Sequence, residues 1–245
     1  RYACREAYGL ICIFPGSDER LETAEFPLVP SATNADYKTR YLDRRVDCHY
    51  SFMHENLMDM NHQFLHRKLM GGITTIFLDV RRGDNWVEAD YSFKRASGKQ
   101  PIGEKFMLGK RPEAGPSDRD LMTIRTEYPY QTLKFWTAGS TEPALDLWNS
   151  YIPLDAAQRT NQTYGLMMIR RPSIPGVINL LWPFIVWFTN GIFAEDRWIC
   201  ELEQAAFDSQ GADWNHEIFP AIQQLREVLT ANGLPIAEPN TEHTA

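Results

Sequence analysis

The chain has 245 residues, of which 43% are hydrophobic and 23% charged, and its net charge is −7. Such a composition belongs to an ordinary soluble globular chain with enough residues for a sizeable core, and the acidic balance argues against a nucleic-acid partner, whose phosphates need a basic surface. Its four cysteines, Cys4, Cys12, Cys48 and Cys200, form no CxxC or CxH pair, so these residues hold no iron–sulfur or zinc-ribbon signature, and with no disulfide framework a reducing, cytoplasmic compartment is the default.

In chain order, no signal peptide is visible. The first residues run at once into the apolar stretch 7–14, as the interior of a fold would, which leads us to expect a further part upstream. Residues 6–13 read as one strand closed by Pro15-Gly16, and 17–36 as loop. Residues 41–52 carry a strand into a central helix that includes 55–66 and ends near Gly71-Gly72. Ile73–Val80 and Trp86–Phe93, joined by Arg82-Gly83-Asp84-Asn85, read as an antiparallel hairpin. Residues 95–119, rich in Gly and Pro, read as a long loop of the kind that often serves as a lid. Strands follow at 120–128, 131–138, 144–152 and 164–170.

The apolar run 177–188 is shorter than the roughly 20 residues a bilayer requires, and Pro183 interrupts it, so it reads as a strand end and helix start rather than a membrane span. A helix then runs from near Pro183 to about Phe207, a second amphipathic one over 217–232, and a polar tail from 235. Strand, helix, antiparallel strands and long helix make an α+β chain.

The chemistry concentrates in the central helix. At about 100° per residue, Glu55, Asp59, His62 and His66 fall within an arc of roughly 60°, while Leu57, Met60, Phe64 and Leu65 cover other sides. Histidines at i and i+4 can share a metal ion; the competing reading is a solvated face or two hydrogen-bonded core histidines. The missing carboxylate is either local, Asp59 or Glu55, or distant, Asp196, an acid beside the apolar Ile192-Phe193-Ala194. Two imidazoles and one carboxylate with open positions form the facial triad of non-haem iron(II) oxygenases; the same set also binds catalytic zinc.

Glu55-Asn56-Leu57-Met58-Asp59 through His62 and His66 resembles the mononuclear-iron motif of the Rieske non-haem iron oxygenases, the ring-hydroxylating and O-demethylating enzymes. Phe193-Ala194-Glu195-Asp196 resembles that family's distant-Asp helix, and residues 7–16 resemble the end of its Rieske domain. The resemblance implies a helix-grip (START/Bet v 1-like) domain, a curved antiparallel sheet around a long C-terminal helix. It implies Fe(II) on His62, His66 and Asp196, with Asn56 beside the iron and Asp59 linking a ligand histidine to the [2Fe–2S] cluster of a neighbouring subunit in a homotrimer. NAD(P)H electrons would arrive through a ferredoxin or reductase and that cluster, and O2 would oxidise a small apolar, aromatic substrate.

Two features depart from the family pattern. Three residues rather than four separate the histidines, and the CxH and CxxH cluster ligands are absent. We therefore expect 1–16 to end a Rieske domain and its linker, 17–234 to be the iron-binding catalytic domain and 235–245 a tail. Phe93, Trp136, Trp148, Tyr164 and Trp187 are candidates for the cavity wall, although ordinary core is the favoured reading for each, since aromatics dominate cores. His49, His54, His216 and Glu195 receive no role. The competing functions are a metal-dependent hydrolase and a ligand carrier without catalysis.

Overall fold

Alternating side chains build most of the molecule. A computed structural model describes residues 2–97, 100, 102, 104–105, 120–137 and 139–236. Seven strands form one antiparallel sheet in the order β3-β9-β8-β7-β6-β5-β4: β3 Tyr37–Val46, β4 Gly72–Arg82, β5 Trp86–Ser97, β6 Leu121–Glu127, β7 Tyr130–Trp136, β8 Leu145–Pro153 and β9 Asn161–Arg170. Five of the joins are between strands consecutive in sequence; β3 alone reaches across the chain, pairing with β9 from Tyr37↔Arg170 to Val46↔Asn161. In β7, Gln131, Leu133 and Phe135 are buried and their neighbours half-buried, the period-2 pattern of a strand with one packed face. In β9 both faces are covered, with Leu166 and Met168 on one and Met167 and Ile169 on the other.

Helices cover one face. They are α3 Tyr50–Met58, the long α5 Val177–Gln210 and α6 Pro220–Asn232, with short helices α1 Asp18–Thr23, α2 Pro30–Thr33 and α4 Arg67–Met70 elsewhere. Helix α6 lies against β4 and β5, α5 against β3, and α3 between them against β6 and β8. The principal core, including Tyr91, Ile124, Phe135, Ile169, Ile185 and Leu225, fills the space between. A smaller cluster of Val29, Tyr37, Trp148, Leu166 and Met168 closes the opposite face.

The α+β class, the antiparallel sheet and the long C-terminal helix agree with the sequence reading. Three local readings need correction. The stretch 6–13 is not one strand: β1 Ala3–Ala7 and β2 Leu10–Phe14 form a hairpin whose turn residues, Tyr8 and Gly9, have φ of 57° and 73°, the left-handed pair that a tight two-residue hairpin requires. Helices α1 and α2 interrupt the supposed loop at 17–36.

The run 177–188 is entirely helical. Pro183 removes one ladder N–H, but Ile178 and Ile185 on either side are buried and α5 continues to Gly211, whose φ of 76° suits a left-handed cap. Among the described residues α5 is therefore long and apolar enough, by length and composition, to cross a bilayer. Here it lies along β3, with Arg40 donating to the Val186 carbonyl. The long loop predicted at 95–119 and the tail predicted from 235 lie largely outside the described residues.

Candidate metal centre

The central helix breaks where the site begins. Helix α3 ends at Met58, and Asp59, with φ −81° and ψ 96°, starts a 3₁₀ turn over Met60–Phe64. The reason is local. Asp59 accepts hydrogen bonds from the Asn61 backbone N–H and side-chain amide, both at 2.9 Å, a capping arrangement that competes with the helical ladder. Tyr91 secures the break by donating to the Met58 carbonyl at 2.7 Å. His62 thus sits on the 3₁₀ turn and His66 at the entry to α4, and the single helix expected over 55–66 does not form.

The two histidines still converge. Their ring centroids are 5.2 Å apart and nearly perpendicular at 88°. Asp196, delivered by α5, presents Oδ1 to His62 Nε2 at 3.7 Å and to His66 Nε2 at 3.2 Å. One donor atom from each of the three residues lies within 4.8 Å of the others.

Hydrogen bonds on the far side fix both tautomers. His62 Nδ1 donates to the Asp59 carbonyl at 2.5 Å, and His66 Nδ1 donates to Glu195 Oε2 at 2.8 Å. With each proton on Nδ1, both Nε2 lone pairs face Asp196. His66 Nε2 is buried without a well-formed hydrogen bond among the described residues, so its proximity to Asp196 leaves an unused donor atom that a metal would employ.

Burial opposes charge on Asp196, but the His66 contact, both imidazoles and the Asn56 amide, 3.0 Å from Oδ1, outweigh it and hold the carboxyl below its usual range. Burial likewise disfavours a charged His66, yet Asp196 and Glu195 raise its pKa overall. An anionic oxygen and two oriented imidazole nitrogens suit a first-row metal with open positions.

The remaining sequence candidates separate clearly. Asn56 Nδ2 donates to Asp196 Oδ1 at 3.0 Å. Asp59 Oδ1 accepts from Asn61, and it is the Asp59 backbone carbonyl that holds His62. Glu55 stands apart from the three converging donors, its Oε2 held by Arg226 Nη2 and Nε at 2.7 and 3.1 Å.

Of the five aromatic candidates, Phe93 lines the cavity. Trp136 follows Phe135 and faces the other way by strand alternation, and Trp148 belongs to the opposite-face cluster. Tyr164 and Trp187 are 38% and 62% exposed. His49 caps α3 through Ser51, and His216 is exposed.

Glu195, assigned no role from sequence, is the residue the sequence reading missed; its position beside Asp196 was the available signal. Replacing Glu195 by alanine should weaken metal binding by about tenfold to a hundredfold without removing a ligand, because His66 loses its orienting acceptor. Chelator competition against the ferrous protein measures this.

Two openings meet at His62. On one side a polar cleft of about 490 Å³ is lined by Glu55, Asn56, Asp59, Asn61, Glu203 and Arg226, among others. On the other an apolar cavity of about 160 Å³ is lined by Leu57, Met60, Phe93, Phe135, Leu147 and Phe193, together with His66 and Asp196. The three-residue cluster therefore lies between a hydrophilic surface and a space suited to an apolar molecule.

Comparison with known proteins points the same way. A family model described as the vanillate O-demethylase oxygenase C-terminal domain matches residues 46–236. A 4beta-methylsterol monooxygenase of Methylococcus capsulatus (Bath) is 26% identical over 242 residues, covering 93% of this chain and 60% of that protein. Among solved structures, dicamba monooxygenase bound to dicamba superposes with a TM-score of 0.66 at 18% identity, over 94% of this chain and 69% of that one. NdmA of Pseudomonas putida CBB5 with caffeine superposes with a TM-score of 0.60 at 18% identity, over 94% of this chain and 60% of that one. The chain thus spans about 60% of the curated relative's length.

Proposed function

This chain belongs to the family of vanillate O-demethylase oxygenase C-terminal domains, the catalytic part of Rieske-type oxygenases, and on that premise we propose that it hydroxylates or demethylates an apolar ring substrate at an iron held by His62, His66 and Asp196. The observation that carries the proposal is the convergence of these three residues on the wall of the apolar cavity. Iron bound there would supply the activation of O2. The protein's own contributions are separable. Glu195 and the Asp59 carbonyl engage Nδ1 of the two imidazoles and so turn both Nε2 atoms towards Asp196. Asn56 holds the Asp196 carboxylate. The apolar wall excludes water and places the substrate beside the metal position.

Electrons originate from NAD(P)H and pass through a ferredoxin or reductase to a [2Fe–2S] cluster outside these 245 residues, since their cysteines form no cluster motif. The polar cleft at Asp59 and His62 is where that cluster approaches, carried by a neighbouring subunit of a cytoplasmic homotrimer. Iron-loaded chain should therefore give product with peroxide and an apolar ring compound, yet show no NAD(P)H-driven turnover with a reductase alone. A visible iron–sulfur spectrum in the isolated chain would refute the electron route.

Asp59→Asn tests the cleft directly. The carbonyl that holds His62 is untouched, so iron should stay bound. The carboxylate charge beside the electron path is lost, so in protein carrying the cluster domain NAD(P)H-driven product should fall by more than tenfold while peroxide-driven product survives. Equal losses by both routes, with iron retained, would place Asp59 in service of the iron site instead.

A further inference from the structure

Gln63 stands between the two histidines in sequence and lines the apolar cavity with them. Its side-chain amide nitrogen donates to Thr75 Oγ1, and the same hydroxyl lies 3.2 Å from the Met60 carbonyl. A carbonyl can only accept, so the Thr75 proton goes to Met60 and the Thr75 oxygen must accept. That polarity fixes the amide: Nε2 serves Thr75, and Oε1 is the free end. Among the described residues Oε1 is buried with no hydrogen bond. Of the wall's other polar groups, His62, His66 and Asp196 belong to the three-residue cluster, and the remaining two already have partners. Thr189 donates to the Ile185 carbonyl at 2.7 Å, and Glu104, itself an acceptor, takes Gln100 Nε2 at 3.3 Å. Around them lie Leu57, Phe93, Phe135, Leu147, Met167 and Phe193.

A buried acceptor in apolar surroundings is costly when left unpaired and selective when a ligand pairs it. We propose that Gln63 is a specificity-determining residue whose Oε1 accepts a hydrogen bond from a hydroxyl on an otherwise apolar ring substrate. The preferred class is then phenols and ring alcohols rather than plain hydrocarbons, and a cavity of about 160 Å³ holds a single aromatic ring. This rests on the oxygenase reading for the identity of the cavity as a substrate site, but its test needs no turnover.

The experiment compares 4-ethylphenol with 4-ethyltoluene, which exchange a hydroxyl for a methyl of similar size. Dissociation constants are measured anaerobically by calorimetry on the ferrous protein, with iron content determined in the same samples. Wild type should bind the phenol more tightly. In Gln63→Met the ratio of the two constants should shift by about fivefold against the phenol, the range of one neutral hydrogen bond. Gln63→Glu, which keeps an acceptor, should retain the preference.

Equal ratios in wild type and Gln63→Met, tighter binding of 4-ethyltoluene to wild type, or no binding of either probe would overturn the proposal. The wild-type comparison stands even if a variant fails to fold. Absence of iron would instead count against the oxygenase reading, so the two failures remain distinct.

Discussion

Replacing Asp196 by alanine should abolish ferrous iron binding. Asp196 is the single anion among the three converging donors, and its Oδ1 lies 3.2 and 3.7 Å from the two Nε2 atoms. Without it two neutral imidazoles remain, a set with little hold on a divalent ion. Asn56 would lose its acceptor and His66 would keep only Glu195 on its far side. His62→Ala should have the same effect on iron, whereas Glu55→Ala should not, because Glu55 is committed to Arg226. Anaerobic Fe(II) titration of the three variants separates these outcomes. Retention of iron by Asp196→Ala would move the carboxylate ligand elsewhere.

The second large effect is on stability in acid. His54 is fully buried, and neither ring nitrogen has a hydrogen-bond partner among the described residues. Tyr151 and Tyr50 pack edge-on against it with centroids at 4.7 and 6.0 Å. Burial, with a smaller contribution from His49, pushes its pKa down to about 3. The folded protein therefore refuses a proton that the unfolded chain takes up near the ordinary value of about 6.5. Below that pH the unfolded state binds more protons, so the His54 contribution to stability is lost as pH falls from about 6.5 towards 3. The slope approaches about 1.4 kcal/mol per pH unit.

His49, lowered to about 4 by burial, acts in the same direction. Glu203, raised to about 7 by burial and the nearby Glu55, acts in the opposite one as pH falls from about 7 to 4.5. A difference measurement isolates His54. Urea unfolding of wild type and His54→Leu should give similar stabilities at pH 7 and a growing advantage for the variant below pH 6. Parallel pH profiles would contradict the assignment.

The fate of particular residues shows which parts of this arrangement were readable in the sequence. The convergence of His62, His66 and Asp196 was legible because metal ligation needs specific residue types, and an acid beside the apolar Ile192-Phe193-Ala194 marked the distant partner. The sheet was legible in the alternation of β5 to β8 and in turns such as Arg82-Gly83-Asp84-Asn85. The break at Asp59 was not, because a capping aspartate and a surface aspartate on a helix look alike until the backbone chooses. Trp148 was misplaced because the sheet is covered on both faces, and an apolar residue on β8 does not declare which cover it meets. Glu195 was missed because its bond to His66 joins residues 129 apart and depends on how α5 rotates against α4. Pro183 marked a helix start only by propensity, and packing of Ile178 and Ile185 overrode it.

The most direct test of the central claim is the metal that the protein acquires for itself. Chain produced with ample iron, purified without oxygen and analysed for all first-row metals should contain stoichiometric iron. That iron should be absent from Asp196→Ala purified in parallel. Stoichiometric zinc in the wild-type protein under those conditions would contradict the account and favour a hydrolytic metal site in its place.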